Sequence, residues 1–400
     1  MNIERCFRPT HDERARQKMI SMLRKHAIID MRQDLRMDYE QRIAPTIADK
    51  VNEPSQWRAI RHAMESEPSY RFYSSIRYNA QEMCYQSVQP AVERGLGEMI
   101  EMARQLAKSP PAGSSLRLNP HLQVPRYVSA LDVHLAPGCF HSEFTADDVA
   151  QGAVIAQGGK VFTGQHPYRK RPGVVGESVA NWLGEKYPGF KPRRILDLGT
   201  TSGKNLLPYH AVFPQAELYG IDVGAPVLRY GLALAAAEGV PVHFSQQNAE
   251  HTDFPDGFFD LIVSSFFFHE VALKSTRQIL VECRRLLSAG GAMVHMELPN
   301  EAAVSSYENF FWNWDTENNN EPHYTVFREQ LPQELCTAAG FPADRCFAHT
   351  IADYATAGVE RFAKIARGEL AAPGHGSGGW FVFGVAPAPT TQLRPSDLAR

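Results

Sequence analysis

The sequence predicts an α/β fold, a doubly wound mostly parallel sheet with helices on both faces, preceded by a mainly helical region. Three observations carry this. Short apolar runs alternate with helical patterns from about residue 173 onward, and such alternation implies a parallel sheet. One run, Ile195-Leu196-Asp197-Leu198, feeds a turn that contains Gly199 and Gly203, and a helical pattern follows from about Asn205. Strand, tight turn and helix make a pocket at the carboxyl end of a parallel strand, where open α/β sheets bind ligands. From about Asp12 to Ala107, by contrast, charges of both signs are interleaved with apolar residues at helical spacing.

The elements follow in order. Met19, Met22, Leu23 and Ala27 lie on one helical face, and Val92, Leu96, Met99, Met102, Ala103 and Leu106 on another, with Pro45, Pro54 and Pro68 expected to separate helices. Ser109 to Ser115 reads as a linker, which sets residues 1–115 apart as an N-terminal helical domain. Residues 116–172 read as a loop-like connecting segment rich in Pro and Gly. In it, His134, Cys139 and His141 have a spacing that metal ligands can use, with Asp132 and Glu143 near them. No paired cysteines support zinc, so a polar loop without metal is the expectation. Residues 173–390 then give a helix at Val174–Tyr187, the Arg194–Leu198 strand, a strand at Glu217–Asp222 and a helix at Ala225–Glu238 with Pro226 in its first turn. Strands at Pro241–Ser245 and Phe259–Ser265 come next, then a helix at Glu270–Leu287 stopped by Gly290-Gly291, and a strand at Ala292–Glu297. Cys346–Ile351 and Trp380–Val385 read as the last two strands.

The glycine turn fits one of three motifs. A dinucleotide fingerprint fails because Thr201 stands where its second glycine belongs. A phosphate-binding P-loop fails because Gly199 to Gly203 is one residue short and Asn205 replaces the hydroxyl that would hold magnesium. D-x-G-x-x-x-G remains, led by Asp197, an anion that repels a pyrophosphate and attracts a cationic ligand.

Ile195 to Gly203 resembles motif I of class I S-adenosylmethionine (SAM)-dependent methyltransferases, and the resemblance runs from about Gly173 to Ala386. The departure is Thr201, where that family more often has glycine. The overall pattern is most similar to ubiquinone/menaquinone-type and natural-product small-molecule methyltransferases. The resemblance implies a seven-stranded Rossmann-like sheet whose last strand is antiparallel, with SAM as cofactor and S-adenosylhomocysteine (SAH) as product. Cofactor contacts are then expected from Asp197, Gly199, Thr200, Gly203, Val223, Ala249 and Ser264. Asp222, at the end of the second strand, is placed to accept both ribose hydroxyls, and Asn248 to accept from the adenine amino group. Tyr168, just before the catalytic part, is an expected contact from a segment folded over the cofactor.

Methyl transfer by in-line displacement asks the protein for proximity, alignment and a dry site. A base is needed only where the acceptor must lose a proton, and His269, Glu297 and His295 are the candidates. His269-Glu270 is not a zinc peptidase motif, because position 273 is Leu. Phe267 and the insertion at 300–325, with Tyr307, Phe311, Trp312 and Trp314, are expected to form an aromatic pocket for a small organic acceptor. The alternative is a SAM-binding regulatory or partner subunit without turnover.

Composition narrows the partners. The formal net charge is −3 over 400 residues, which gives no argument for nucleic acid or an anionic membrane. The six scattered cysteines read as free thiols of a reducing compartment. The N-terminus lacks the apolar core of a signal peptide and no apolar run is long enough to span a bilayer, so a cytoplasmic protein is expected. A homodimer through the N-terminal helices is a further expectation.

Overall fold

The structure, a computed structural model, describes residues 2–48, 56–164 and 173–389. Its centre is an eight-stranded sheet: β1 (Ser115–Arg117), β2 (Arg194–Leu198), β3 (Glu217–Asp222), β4 (His243–Gln246), β5 (Phe259–Ser265), β6 (Leu287–Glu297), β7 (Cys346–Ala352) and β8 (Gly379–Val385). The order is β1-β4-β3-β2-β5-β6-β8-β7. Strands β1 to β6 pair in parallel, and β8 runs antiparallel to both neighbours, with Phe383 opposite His295 on one side and Ala348 on the other. The apolar runs of β2, β5 and β6 are buried almost throughout, as a parallel sheet covered on both faces requires.

The expected seven strands are all present, and the eighth is β1. The end of the Ser109–Ser115 turn does not stay a linker: Ser115 pairs with His243 at the sheet edge. On one face the helices Val174–Lys186, Ala225–Glu238 and Val359–Ala366 bury their apolar stripes. On the other, Leu273–Leu286 and Pro332–Ala338 do so.

Several local expectations shift. The pattern after Asn205 yields turns and one short helix, Tyr209–Val212, because Pro208 has no N–H to continue a hydrogen-bond ladder. The helix expected from Glu270 begins at Leu273, since Phe268–Glu270 forms a tight 3-10 turn. Pro45 does not break its helix: a continuous helical run from His11 to Ile47 passes two wide π turns, and the proline sits in the first turn after the second. Pro54 lies outside the described residues.

The largest difference is in the connecting segment, where Ala150–Phe162 is a buried helix. Its glycines read as loop, since each costs about 1 kcal/mol of helix propensity against alanine. Here they serve close packing. A side chain on Gly152 would strike Tyr230 of the helix Ala225–Glu238, and one on Gly158 would strike Tyr85 of the helix Pro68–Gln86. The N-terminal helices are thereby drawn against the sheet's helical face, in one apolar cluster that includes Val92, Met99, Ala153, Val154 and Tyr230.

The aromatic insertion supplies a second attachment. Helix Ser306–Glu317 packs on Trp57–Met64 and Pro68–Gln86, with Trp314 stacked on Tyr70 at 4.0 Å between ring centres. Below them Arg77 is fully buried. Its guanidinium donates to Asp315 at 2.8 and 3.1 Å, and the Tyr73 hydroxyl donates to the same carboxylate at 2.8 Å. Removing one partner of such a pair leaves a buried charge alone. Arg77→Ala is therefore expected to lower unfolding stability by about 3–5 kcal/mol, read as the urea midpoint shift at constant slope; a loss below about 1 kcal/mol would be that of an exposed pair.

Candidate active site

At the carboxyl ends of β2, β3 and β5 the chain encloses a cavity of about 400 Å³. One wall comes from the sheet: Gly199, Thr201, Asp222, Val223, Asn248 and Ala249. The opposite wall comes from the helical part and the connecting segment, with Tyr85, Tyr127, His134, Phe140 and Ile155. Ser265, Phe266, Phe267 and Glu270, from the turn after β5, close one end.

Asp222 organises the sheet wall. It ends β3, and its two carboxylate oxygens accept from the amides of Thr201 and Gly224, both at 2.9 Å. Burial pushes its pKa up to about 6 against those hydrogen bonds. Thr201 takes a left-handed conformation, φ 49°, which is costly for a β-branched residue. The hydrogen bond its amide donates to Asp222 holds it there. Gly199 has φ 61°, and a side chain there would collide with Phe267. Phe266 is also left-handed, φ 56°, pinned by its amide to the Met296 carbonyl at 2.9 Å. Strained non-glycine residues at the ends of adjacent strands are a mark of functional sites.

Asp197, Thr200 and Gly203 lie behind this wall. The Thr200 hydroxyl donates to Asp197 at 2.7 Å, and burial pushes the Asp197 carboxyl up to about 7. Gly203 packs against the Phe244 ring. The Asn248 side-chain oxygen already accepts from the Glu250 amide at 2.9 Å, so one lone pair is left for a ligand. Ser265 reaches the cavity. Ser264 does not: its hydroxyl pairs with His295 Nδ1 at 2.9 Å. Tyr168 lies outside the described residues.

The three candidate bases stand behind the cavity. His295 is buried among Phe268 and Phe383, and burial pushes it down to about 3. Glu297 is fully buried and accepts from the Phe268 amide and pairs with His269 Nδ1, both at 2.6 Å. Burial alone would lower the His269 pKa, but Glu297 and Glu270 raise it well above the ordinary value. The groups that do reach the wall are Glu270 and His134, whose Nε2 lies 3.1 Å from Glu270. Their partnership is between segments far apart in the chain, which spacing alone does not reveal. Cys139 and His141 do not join His134 in a cluster; Glu270 and Glu321 do.

The aromatic pocket is not where the insertion was expected to put it. Phe267 lines the cavity. Tyr307, Phe311 and Trp314 are core residues between the insertion and the N-terminal helices, and Trp312 lies under the Arg328 guanidinium at 4.8 Å. The rings at the cavity are Tyr85, Tyr127, Phe140, Phe266 and Phe267.

Comparison with known proteins fits this geometry. The family model described as a methyltransferase domain matches residues 195–291. The demethylmenaquinone methyltransferase of Thermus thermophilus is 37% identical over 108 residues, which is 27% of this chain and 48% of that protein. The ubiquinone/menaquinone biosynthesis C-methyltransferase of Vibrio parahaemolyticus is 32% identical over 113 residues, 27% of this chain and 43% of that protein. The chain thus spans about half the length of the curated relatives it matches. Among solved structures, an O-methyltransferase from Nostoc punctiforme, titled putative, aligns over 58% of this chain and 60% of its own at 16% identity and TM-score 0.41.

The residues suit SAM. The Asp222 carboxylate, a glycine turn and a half-free Asn248 oxygen face one cavity, and no lysine or arginine among the described residues lines it for a pyrophosphate. Asp222 titrates near pH 6 and accepts hydroxyl hydrogens best as the carboxylate. SAM affinity is therefore expected to fall as pH drops from 8 to 5, with protons released on binding near pH 6. Calorimetry in buffers of different ionisation enthalpy reads both; affinity flat across that range contradicts the assignment. Asp222→Ala is expected to weaken SAM at least tenfold, about 1.4 kcal/mol, at unchanged circular dichroism. Over residues 195–291, the stretch that runs from β2 into β6, the chain is thus similar to the methyltransferase-domain family.

Proposed function

We propose that this protein transfers the methyl group of SAM to a small organic acceptor enclosed between the sheet and the helical region. The observation that carries the reading is the shared cavity: cofactor-side residues of β2 and β3 and aromatic residues of the helices line one space of about 400 Å³. On this reading residues 173–390 bind SAM, while residues 1–115 and 116–172 cover the site. Asp222 and Asn248 would hold the ribose and adenine, with Gly199, Val223 and Ala249 shaping that wall. SAM supplies an electrophilic methyl on a sulfonium. The chain supplies alignment and the exclusion of water, through Phe266, Phe267, Phe140 and Tyr127.

Small aromatic hydroxy compounds and hydroquinones are the acceptor class this lining favours, and the names of the quinone-methylating relatives support it. No described helix is long and apolar enough to cross a membrane, and all six cysteines are free thiols; the cytoplasm is the compartment we propose. A homodimer through the N-terminal helices is part of the same proposal, tested by light scattering.

Incubation of the protein with SAM and a panel of naphthols and reduced naphthoquinones, read by mass, tests the function. A product heavier by one methylene with equimolar SAH is expected. SAM binding without turnover of any acceptor would favour a regulatory or partner subunit.

A further inference from the structure

The helix Ala150–Phe162 carries three glycines, and packing on Tyr230 and Tyr85 explains two of them. Gly159 is the third. Its φ is not in the left-handed region, so no turn requires glycine there, and a Cβ built on it meets no atom of the described residues within 4 Å. Its carbonyl accepts from the Thr163 amide and hydroxyl, both at 3.0 Å, so it belongs to the hydrogen-bonded last turn of the helix. Glycine is a poor helix former and alanine the best. At Gly159 the chain forgoes helix stability that the surrounding packing would allow.

The space beyond Gly159 is ligand space. Gly159 lines the cavity together with Ile155, one turn earlier on the same helix face, and with Tyr85, which packs on the neighbouring Gly158. This apolar part of the wall lies on the helical side. The cofactor contacts proposed above, Asp222, Val223, Asn248 and Ala249, are on the sheet side. Gly152 and Gly158 bring the helix close over the site, and a side chain at 159 would then narrow the space so enclosed. Gly97, in the helix Gln89–Lys108, makes the contrast: a Cβ there also meets nothing within 4 Å, but Gly97 is exposed and lies away from the cavity wall.

We propose that Gly159 sets the size of the acceptor: the acceptor's ring system extends over it, beside Tyr85 and Ile155, and a side chain at this position would exclude larger acceptors before smaller ones. This rests on the methyl-transfer reading above and adds to it a residue that selects the acceptor, with no part in holding SAM or in the chemical step. Discrimination by volume follows from close packing, because Tyr85 and Ile155 are fixed on packed helices and lost space is recovered only by displacing them.

The test titrates the full chain, saturated with SAH, with 1-naphthol and with phenol by calorimetry. Gly159→Leu is expected to weaken 1-naphthol by about tenfold or more, with phenol and SAH affinities within about twofold of wild type. Gly159→Ala is expected to raise the urea midpoint, as the control Gly97→Ala does, and to weaken 1-naphthol less than the leucine variant; Gly97→Ala leaves every affinity unchanged. The proposal is overturned if Gly159→Leu keeps 1-naphthol within about threefold, if it weakens phenol as much as 1-naphthol, or if SAH is the ligand it displaces. It is also overturned if Gly159→Ala lowers the urea midpoint, since the space is then not free, or if SAH-loaded wild-type protein does not bind 1-naphthol. Should the leucine variant not fold, Gly159→Ala decides alone: 1-naphthol weakened about threefold or more supports the proposal, and a smaller change overturns it. Failure of wild-type protein to bind SAH would instead remove the underlying methyl-transfer reading.

Discussion

The site depends on one carboxylate holding two turns. Asp222 closes β3, and through the amides of Thr201 and Gly224 it ties the turn after β2 to its own. That arrangement keeps Thr201 in a conformation a β-branched residue avoids and sets Gly199 against the Phe267 ring. The strained backbone here sits on a strand that is paired along both edges. β2 is buried between β3 and β5 with a continuous parallel register on both sides.

A second constraint is how closely the helical part approaches. The sheet wall alone is an open crevice. It becomes a cavity because Gly152 and Gly158 let the helix Ala150–Phe162 lie against Tyr230 and Tyr85, and because Arg77, Asp315 and Tyr73 lock the insertion onto the N-terminal helices. His134 completes the enclosure by bridging Glu270 and Glu321. Attachment and chemistry share residues here: the groups that fasten the connecting segment over the site also bring ionisable side chains to its wall.

This division explains what was legible beforehand. β2, its glycine turn, β3 and Asp222 were readable because they are local: strand, turn and acid lie within one short stretch, and each residue type has a backbone or charge reason to be there. Asn248 and Phe267 could be placed because they follow strands already recognised. The Tyr307–Trp314 aromatics misled, since an apolar stripe records that a surface is covered, not what covers it; helices proved to be the cover. Ala150–Phe162 was hidden because its glycines look like loop and act as packing surfaces. Glu270 was visible only as half of a failed zinc motif, and its partner His134 only as a member of a loop cluster. Their meeting depends on tertiary structure that no spacing encodes.

The most direct test of the account is a crystal structure of the protein with SAH. The adenosyl group is expected along Asp222, Asn248 and Ala249, with the ribose hydroxyls on the Asp222 carboxylate, and the sulfur end toward Phe266 and Glu270. SAH bound elsewhere, or bound with Asp222 still engaged only by Thr201 and Gly224, would contradict it.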